Sequence, residues 1–158
     1  MMTYSLRILT IADIPEMQAL FRSTVLHVNK KDYTQEEVED WASCGESVAH
    51  WQELLAKHTY IGAFDQTGIM IGFSSMNKTG YLHSMFVHKD WQNKGVATQL
   101  LAEVERIAQQ YGVKEITSDI SITACPFFEH KGYSIIQPQL AQANQLRLKN
   151  YKMRKLLG

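Results

Sequence analysis

Gln92-Asn93-Lys94-Gly95-Val96-Ala97-Thr98 joins a polar loop to an apolar-periodic segment, and its residue types suit an anion. A helix that starts on such a cluster presents amide N–H groups without intrahelical partners and the positive end of its dipole. Gly95 and Ala97 would let a ligand approach the backbone closely, and Gln92, Asn93 and Lys94 can curl round it. A diphosphate fits that description, although an ordinary strand-to-helix turn shares the same composition. The chain has no GxxxxGK[ST] and no GxGxxG after an early strand. Nucleotide hydrolysis on a P-loop and dinucleotide binding on a Rossmann unit are therefore both disfavoured.

The remaining chemistry-bearing residues are scattered. Cys44 and Cys125 stand far apart, with no CxxC and no zinc-site spacing, and His27, His50, His58 and His130 show no ligand pattern, so no metal is expected. Asp32, Tyr33, Glu36, Glu37, Glu39, Asp40 and Trp41 gather acids and aromatic rings in one short stretch. That group could receive a cationic amine through charge and an aromatic face; alternatively, the acids favour a helix N-terminus and Trp41 belongs to the core. Arg147, Lys149, Lys152, Arg154 and Lys155 make the C-terminus basic, in the manner of a solvated strand face.

These residues need elements to position them. Ser5 to Leu9 alternates as a short strand, and Asp13-Ile14-Pro15-Glu16 reads as a helix start, with Asp13 as cap and Glu16 completing a capping box. Ile14, Met17, Leu20, Phe21 and Val25 form the apolar face of that helix. Thr34-Gln35-Glu36-Glu37 opens a second helix carrying Val38, Trp41 and Ala42, and a third helical piece spans His50 to Lys57. The period then changes: Thr59 to Phe64, Ile69 to Met76 and Tyr81 to Val87 read as an antiparallel meander on two tight turns, 65–68 and 77–80. A long helix from Gly95 to Tyr111 carries Leu100, Leu101, Val104 and Ile107 as core, and leads to a strand over Glu115 to Ile120. Such a unit implies a right-handed crossover between parallel strands. A short helix from Thr123 to Lys131 stops at Gly132, and two strands, Tyr133 to Gln137 and Gln145 to Leu156, close the chain. The expected class is α/β (α+β with a mixed sheet), in the order β-α-α-β-β-β-α-β-α-β-β.

At 158 residues the chain suits one domain, with residues 1–158 forming a single unit and no repeat or linker. Hydrophobic residues at 45% and charged residues at 20% exclude a disordered or coiled-coil chain. Lys plus Arg equals Asp plus Glu at 16 each, which leaves no broad field for nucleic acid or an anionic membrane. No leader or apolar span is visible, so a soluble, cytoplasmic protein is expected.

Gln92-Asn93-Lys94-Gly95-Val96-Ala97 matches the Q/R-x-x-G-x-G/A signature of the GNAT superfamily of N-acetyltransferases. Met85-Phe86-Val87-His88 resembles that family's L-Y-V-H strand end, and Ala124 to Tyr133 resembles its A-x-x-F-Y-E-x-x-G-F helix. The motifs occur in the family's order and the resemblance covers nearly the whole chain; Asp32-Tyr33-Thr34 followed by Trp41 is similar to the YafP-like branch. The resemblance implies the GNAT acyl-CoA N-acyltransferase fold and acetyl-coenzyme A (acetyl-CoA) as co-substrate, with no metal. It assigns the cofactor to the backbone of Met85, Phe86 and Val87, to Gln92, Asn93, Lys94, Gly95, Val96, Ala97 and Thr98, and to Ser121, which stands where the family often has asparagine.

Acyl transfer to an amine needs a neutral nucleophile, a stabilised oxyanion and a proton for the leaving thiolate. His83, on the alternation face of Met85 and Val87, is the expected base, with an ordinary imidazole pKa of ~6.5. Phe128 stands where the family often has a tyrosine acid, so Cys125, Tyr133 and Tyr33 are the candidate proton donors. Tyr33 and Trp41 are the candidate acceptor-binding residues, for an amine of a small molecule or peptide. The chain itself would be a monomer or homodimer. The implied activity is direct transfer in a ternary complex; the alternative is a non-catalytic acyl-CoA-binding sensor or partner module.

Overall fold

The computed structural model describes residues 3–158. Seven strands and five α-helices follow in the order β1 (Ser5–Ile8), α1 (Ile14–His27), α2 (Gln35–Ser43), α3 (Val48–Lys57), β2 (Thr59–Phe64), β3 (Met70–Met76), β4 (Met85–Val87), α4 (Val96–Gln110), β5 (Glu115–Ser121), α5 (Cys125–His130), β6 (Ser134–Gln142) and β7 (Arg147–Leu156). Three helices, not two, precede β2, because the piece read around His50 is a full helix capped by Ser47. The capping box of α2 is present: Glu37 N–H donates to Thr34 Oγ1 at 3.1 Å and Thr34 N–H to Glu37 Oε1 at 2.9 Å. That of α1 differs from expectation. Asp13 accepts from the Thr10 N–H (2.8 Å) and from both terminal nitrogens of Arg7 instead of capping with Glu16. A 3-10 turn at Ile11–Asp13 therefore precedes the helix.

The strands form two sheets, β1-β2-β3-β4 and β5-β7-β6, with every ladder antiparallel. The expected parallel pairing survives as one bridge, Tyr81 to Thr117. Thr117 N–H donates to Gly80 O and Leu82 N–H to Thr117 O, each at 2.9 Å. Residues 80 and 82 thus make backbone bonds to β5, and β4 begins only at Met85. From there the two sheets part, and no strand among the described residues fills the gap.

The central strands of the first sheet, β2 and β3, are buried on both faces, which is why β3 reads as an unbroken run with all seven residues buried. On one face α4 packs Val96, Leu100, Leu101 and Val104 against Ile61, Ala63 and Ile71. Burying each such aliphatic side chain contributes ~1.5–3 kcal/mol. Gly72 makes the close approach possible, since a Cβ there would meet Val96 and Leu100 at 3.0 and 3.1 Å. On the other face α1, α2 and α3 supply Met17, Phe21, Val38 and Trp51 against Tyr60 and Phe73. Their placement leaves an aromatic wall beside the parted strands.

Candidate active site

The parting of the sheets opens a cleft of about 1500 Å³. Its walls come from β4 and the start of α4 on one side, from β5 and the start of α5 on the other, and from α1 to α3 and the first part of β7 at its end. Met85, Phe86, Val87, Gln92, Asn93, Gly95, Val96, Ala97, Thr98 and Ser121 all line it, as do His83, Tyr33 and Trp41. Lys94, Cys125 and Tyr133 do not.

Ladder geometry aims β4 at the cleft. Ser75 N–H donates to Ser84 O and His88 N–H to Ile71 O, so the even positions face β3. By strand alternation, the backbone groups of Met85 and Val87 point away from β3, into the gap. The Val87 carbonyl already accepts from Gln92 Nε2 at 2.7 Å and Thr24 Oγ1 at 3.1 Å. Only its N–H and the Met85 groups remain for a ligand.

The loop before α4 is held from both sides. Gln92 ties it back to β4, and Tyr4 OH donates to the Lys94 carbonyl at 2.6 Å while its ring meets Trp91 edge-on. Asn93 and Gly95 sit at φ +60° and +83°, in the left-handed region where glycine is at no disadvantage. The first intrahelical bond runs from Gln99 N–H to Gly95 O, so the amides of Val96, Ala97 and Thr98 have no partner within the helix. A Cβ at Gly95 would meet nothing within 4 Å. Open space, free amides and the positive end of α4 coincide there, an arrangement suited to a diphosphate. Lys94 points its ammonium over the Trp91 ring instead, 5.2 Å from its centre.

His83 stands on the cleft wall and is open to solvent. Its Nδ1 lies 3.0 Å from Ser84 Oγ, which is 2.9 Å from the buried Tyr60 hydroxyl. The surrounding walls displace bulk water, and that desolvation, with the nearby His58 and His50, lowers its pKa to about 4; Asp119 opposes the fall. The ring is therefore neutral at physiological pH but a weaker base than an ordinary imidazole.

None of the sequence-read proton donors is free in the cleft. Tyr133 donates to Glu105 Oε2 at 2.7 Å beneath α4, and burial together with that carboxylate raises its pKa. Cys125 is buried, with its thiol pushed up by desolvation and by Glu129. Tyr33 reaches the wall with its ring, but its hydroxyl donates to Lys149 O at 2.6 Å and accepts from the Ile122 N–H at 3.0 Å. It latches β7 to the end of β5. Ser121 accepts from Ala124 N–H at 3.0 Å, with the Asn29 amide 3.5 Å away.

The acids of α2 do not line the cleft. Glu37 caps its own helix, and Asp40 accepts the amides of Asn144, Gln145 and Leu146 at 2.9–3.1 Å, fastening the β6–β7 turn. Of that stretch only Tyr33 and Trp41 line the cleft, and Trp41 packs edge-on against Tyr33 and Phe86. Ser84, Tyr60 and Asn29 carry no motif, and nothing in their local sequence marks them. No cluster of three or more metal-ligating side chains exists among the described residues, nor does any described helix have the length and apolarity to cross a membrane.

Residues 29–155 match the acetyltransferase (GNAT) domain family. An uncharacterized N-acetyltransferase, YafP of Escherichia coli K12, is 29% identical over 143 residues, covering 90% of this chain and 89% of that one. The crystal structure of a GCN5-related N-acetyltransferase from Rhodopseudomonas palustris superposes with a TM-score of 0.95 at 29% identity, over 99% of this chain and 98% of the other. The PaiA N-acetyltransferase of Thermoplasma acidophilum, solved in complex with coenzyme A, gives 0.80 at 18% identity over 99% and 100%. At that identity the likeness is one of fold.

Proposed function

Because this chain belongs to the GNAT family of acetyltransferases, we propose that it transfers an acetyl group from acetyl-CoA to a primary amine of a small molecule or peptide, by direct attack in a ternary complex. One observation carries the reading: the free amides at the start of α4 and the imidazole of His83 line one continuous cleft. The binding of coenzyme A by the PaiA neighbour, which shares the fold, supports the choice of cofactor. The residues fit it. The amides of Val96, Ala97 and Thr98 would hold the diphosphate, Gly95 gives it room, and the outward backbone groups of Met85 and the Val87 N–H would pair with the amide-bearing arm. When bound, acetyl-CoA supplies the activated acyl group.

His83 takes the proton that the attacking ammonium must lose. With Nδ1–H donated to Ser84 Oγ, its Nε2 keeps a lone pair for the cleft. A base this weak accepts the proton as the N–C bond forms, or through water. Phe128 offers no proton, and the hydroxyls of Tyr33 and Tyr133 are already engaged. The leaving thiolate therefore takes its proton from water. Replacing His83 by Ala should lower turnover about 100-fold, in the range for a general base, and leave the acetyl-CoA Kd unchanged. Turnover unaltered in His83→Ala across the pH range would remove the imidazole from the mechanism.

A further inference from the structure

Among the described residues the cleft wall carries one carboxylate, Asp119 of β5, and no motif marks it. It is exposed, at an outward position of its strand. Tyr81 OH donates to Oδ2 at 2.7 Å, and Gln139 Nε2 donates to Oδ1 at 2.6 Å. Each oxygen therefore has one bond and retains capacity for another. Lys152 stands directly opposite on β7 but closes no ion pair with it. The carboxylate is thus aimed by two neutral donors and neutralised by no cation.

Its neighbours complete an acceptor site. The parallel bridge joins Tyr81 to Thr117, and Asp119, two residues further along β5, is near enough for its charge to act on His83. The Tyr81 and His83 rings meet edge to face with centroids 6.1 Å apart. Carboxylate, aromatic ring and imidazole adjoin on one wall, and the acids of α2 that composition would suggest for this task are engaged elsewhere.

We infer that Asp119 is the specificity-determining residue for the acceptor, selecting a cationic alkylammonium group and holding it beside Tyr81 and His83. This rests on the transferase reading above. The ammonium directs one N–H to the carboxylate and another to His83 Nε2. The imidazole takes that second proton and the freed lone pair forms the N–C bond. The C–S bond of the thioester then breaks with its electrons on sulfur, the surplus N–H proton passes through water to the thiolate, and the imidazolium returns its proton to solvent.

The test compares a primary alkylamine with the O-alkylhydroxylamine of the same length, which is uncharged at neutral pH. Asp119→Asn keeps an acceptor for the Tyr81 hydroxyl and removes the charge, and the exposed Gln139 amide can turn its oxygen to the new NH2 group. The amine KM should rise about three- to fivefold, the upper range for an exposed ion pair, and that of the hydroxylamine should stay within about twofold. The acetyl-CoA Kd should not change. Calorimetric binding of the amine to the protein loaded with coenzyme A should weaken in parallel, which a purely structural role would not produce. Tyr81→Phe, which keeps the charge but releases its aim, should shift the amine KM in the same direction by less. Equal changes for both acceptors, or none for the amine, would overturn the assignment while leaving the transferase reading intact. Transfer by the unmodified protein to neither acceptor would overturn the transferase reading, and this inference with it.

Discussion

Replacing Gly95 separates backbone strain from charge at the start of α4. At φ +83° and ψ 4° a residue with a side chain pays about 1–2 kcal/mol, while its Cβ meets nothing within 4 Å. Gly95→Ala should lose that stability, a Tm fall of about 3–6 °C for a chain of this size, and Gly95→Asp no more, because aspartate tolerates the left-handed region better and its charge suits the positive end of α4. Their effects on the ligand should differ. Two unit charges ~6 Å apart repel by roughly 0.7–2.8 kcal/mol between effective dielectric constants of about 80 and 20. A carboxylate facing a diphosphate here should raise the acetyl-CoA Kd by about three- to a hundredfold over Gly95→Ala, and the gap should narrow with added salt. Paired scanning and titration calorimetry on the two variants measure both terms. Equal affinities in the alanine and aspartate variants would refute the placement of the anion at these amides. A much larger stability loss for either variant would refute the open space in front of Gly95.

Further predictions concern the wall residues. Since desolvation lowers the His83 pKa to about 4, the ring is largely neutral above about pH 6. Because the acceptor binds as its ammonium form and the imidazole is already neutral, kcat/KM should stay level from about pH 6 to 8 and show no inflection near 6.5. An inflection there that disappears in His83→Gln would mean that the cleft does not desolvate the ring. The same lowered pKa makes folding less favourable as pH falls from about 6.5 towards 4, because the unfolded chain then binds a proton that the folded ring refuses. Tyr33→Phe keeps the ring but strands the Lys149 carbonyl and the Ile122 amide; it should cost about 1–3 kcal/mol in chemical denaturation. That variant should leave the acetyl-CoA Kd nearly unchanged, and a large rise would make the latch part of the cofactor site.

Local chemistry accounts for what the sequence determined. Thr34 and Glu37 close their capping box within four residues, and Gly95 occupies a left-handed position that its own lack of Cβ permits. The apolar stripe of α4 and the turns of the meander follow from spacing alone, and the family motifs lie on those same segments. The α1 start shows the boundary of that reading. Asp13 had two possible roles, and Arg7, on the preceding strand, decided between them.

Only the tertiary structure decided the walls of the cleft. Tyr33 reaches Lys149, 116 positions away, and Tyr81 reaches Asp119 across 38. Neither pairing leaves a periodic trace, because each depends on where the two sheets cease to pair. Tyr133 and Cys125 show the converse: their types suited proton donation, yet the packing of α5 beneath α4 turned both away from the gap. The carboxylates of α2 had the right charge and the wrong direction, while Asp119 gained its place from one backbone bridge. Residue type and near-neighbour spacing set each element and its caps; which side chains face one another was fixed by the divergence of two strands distant in sequence.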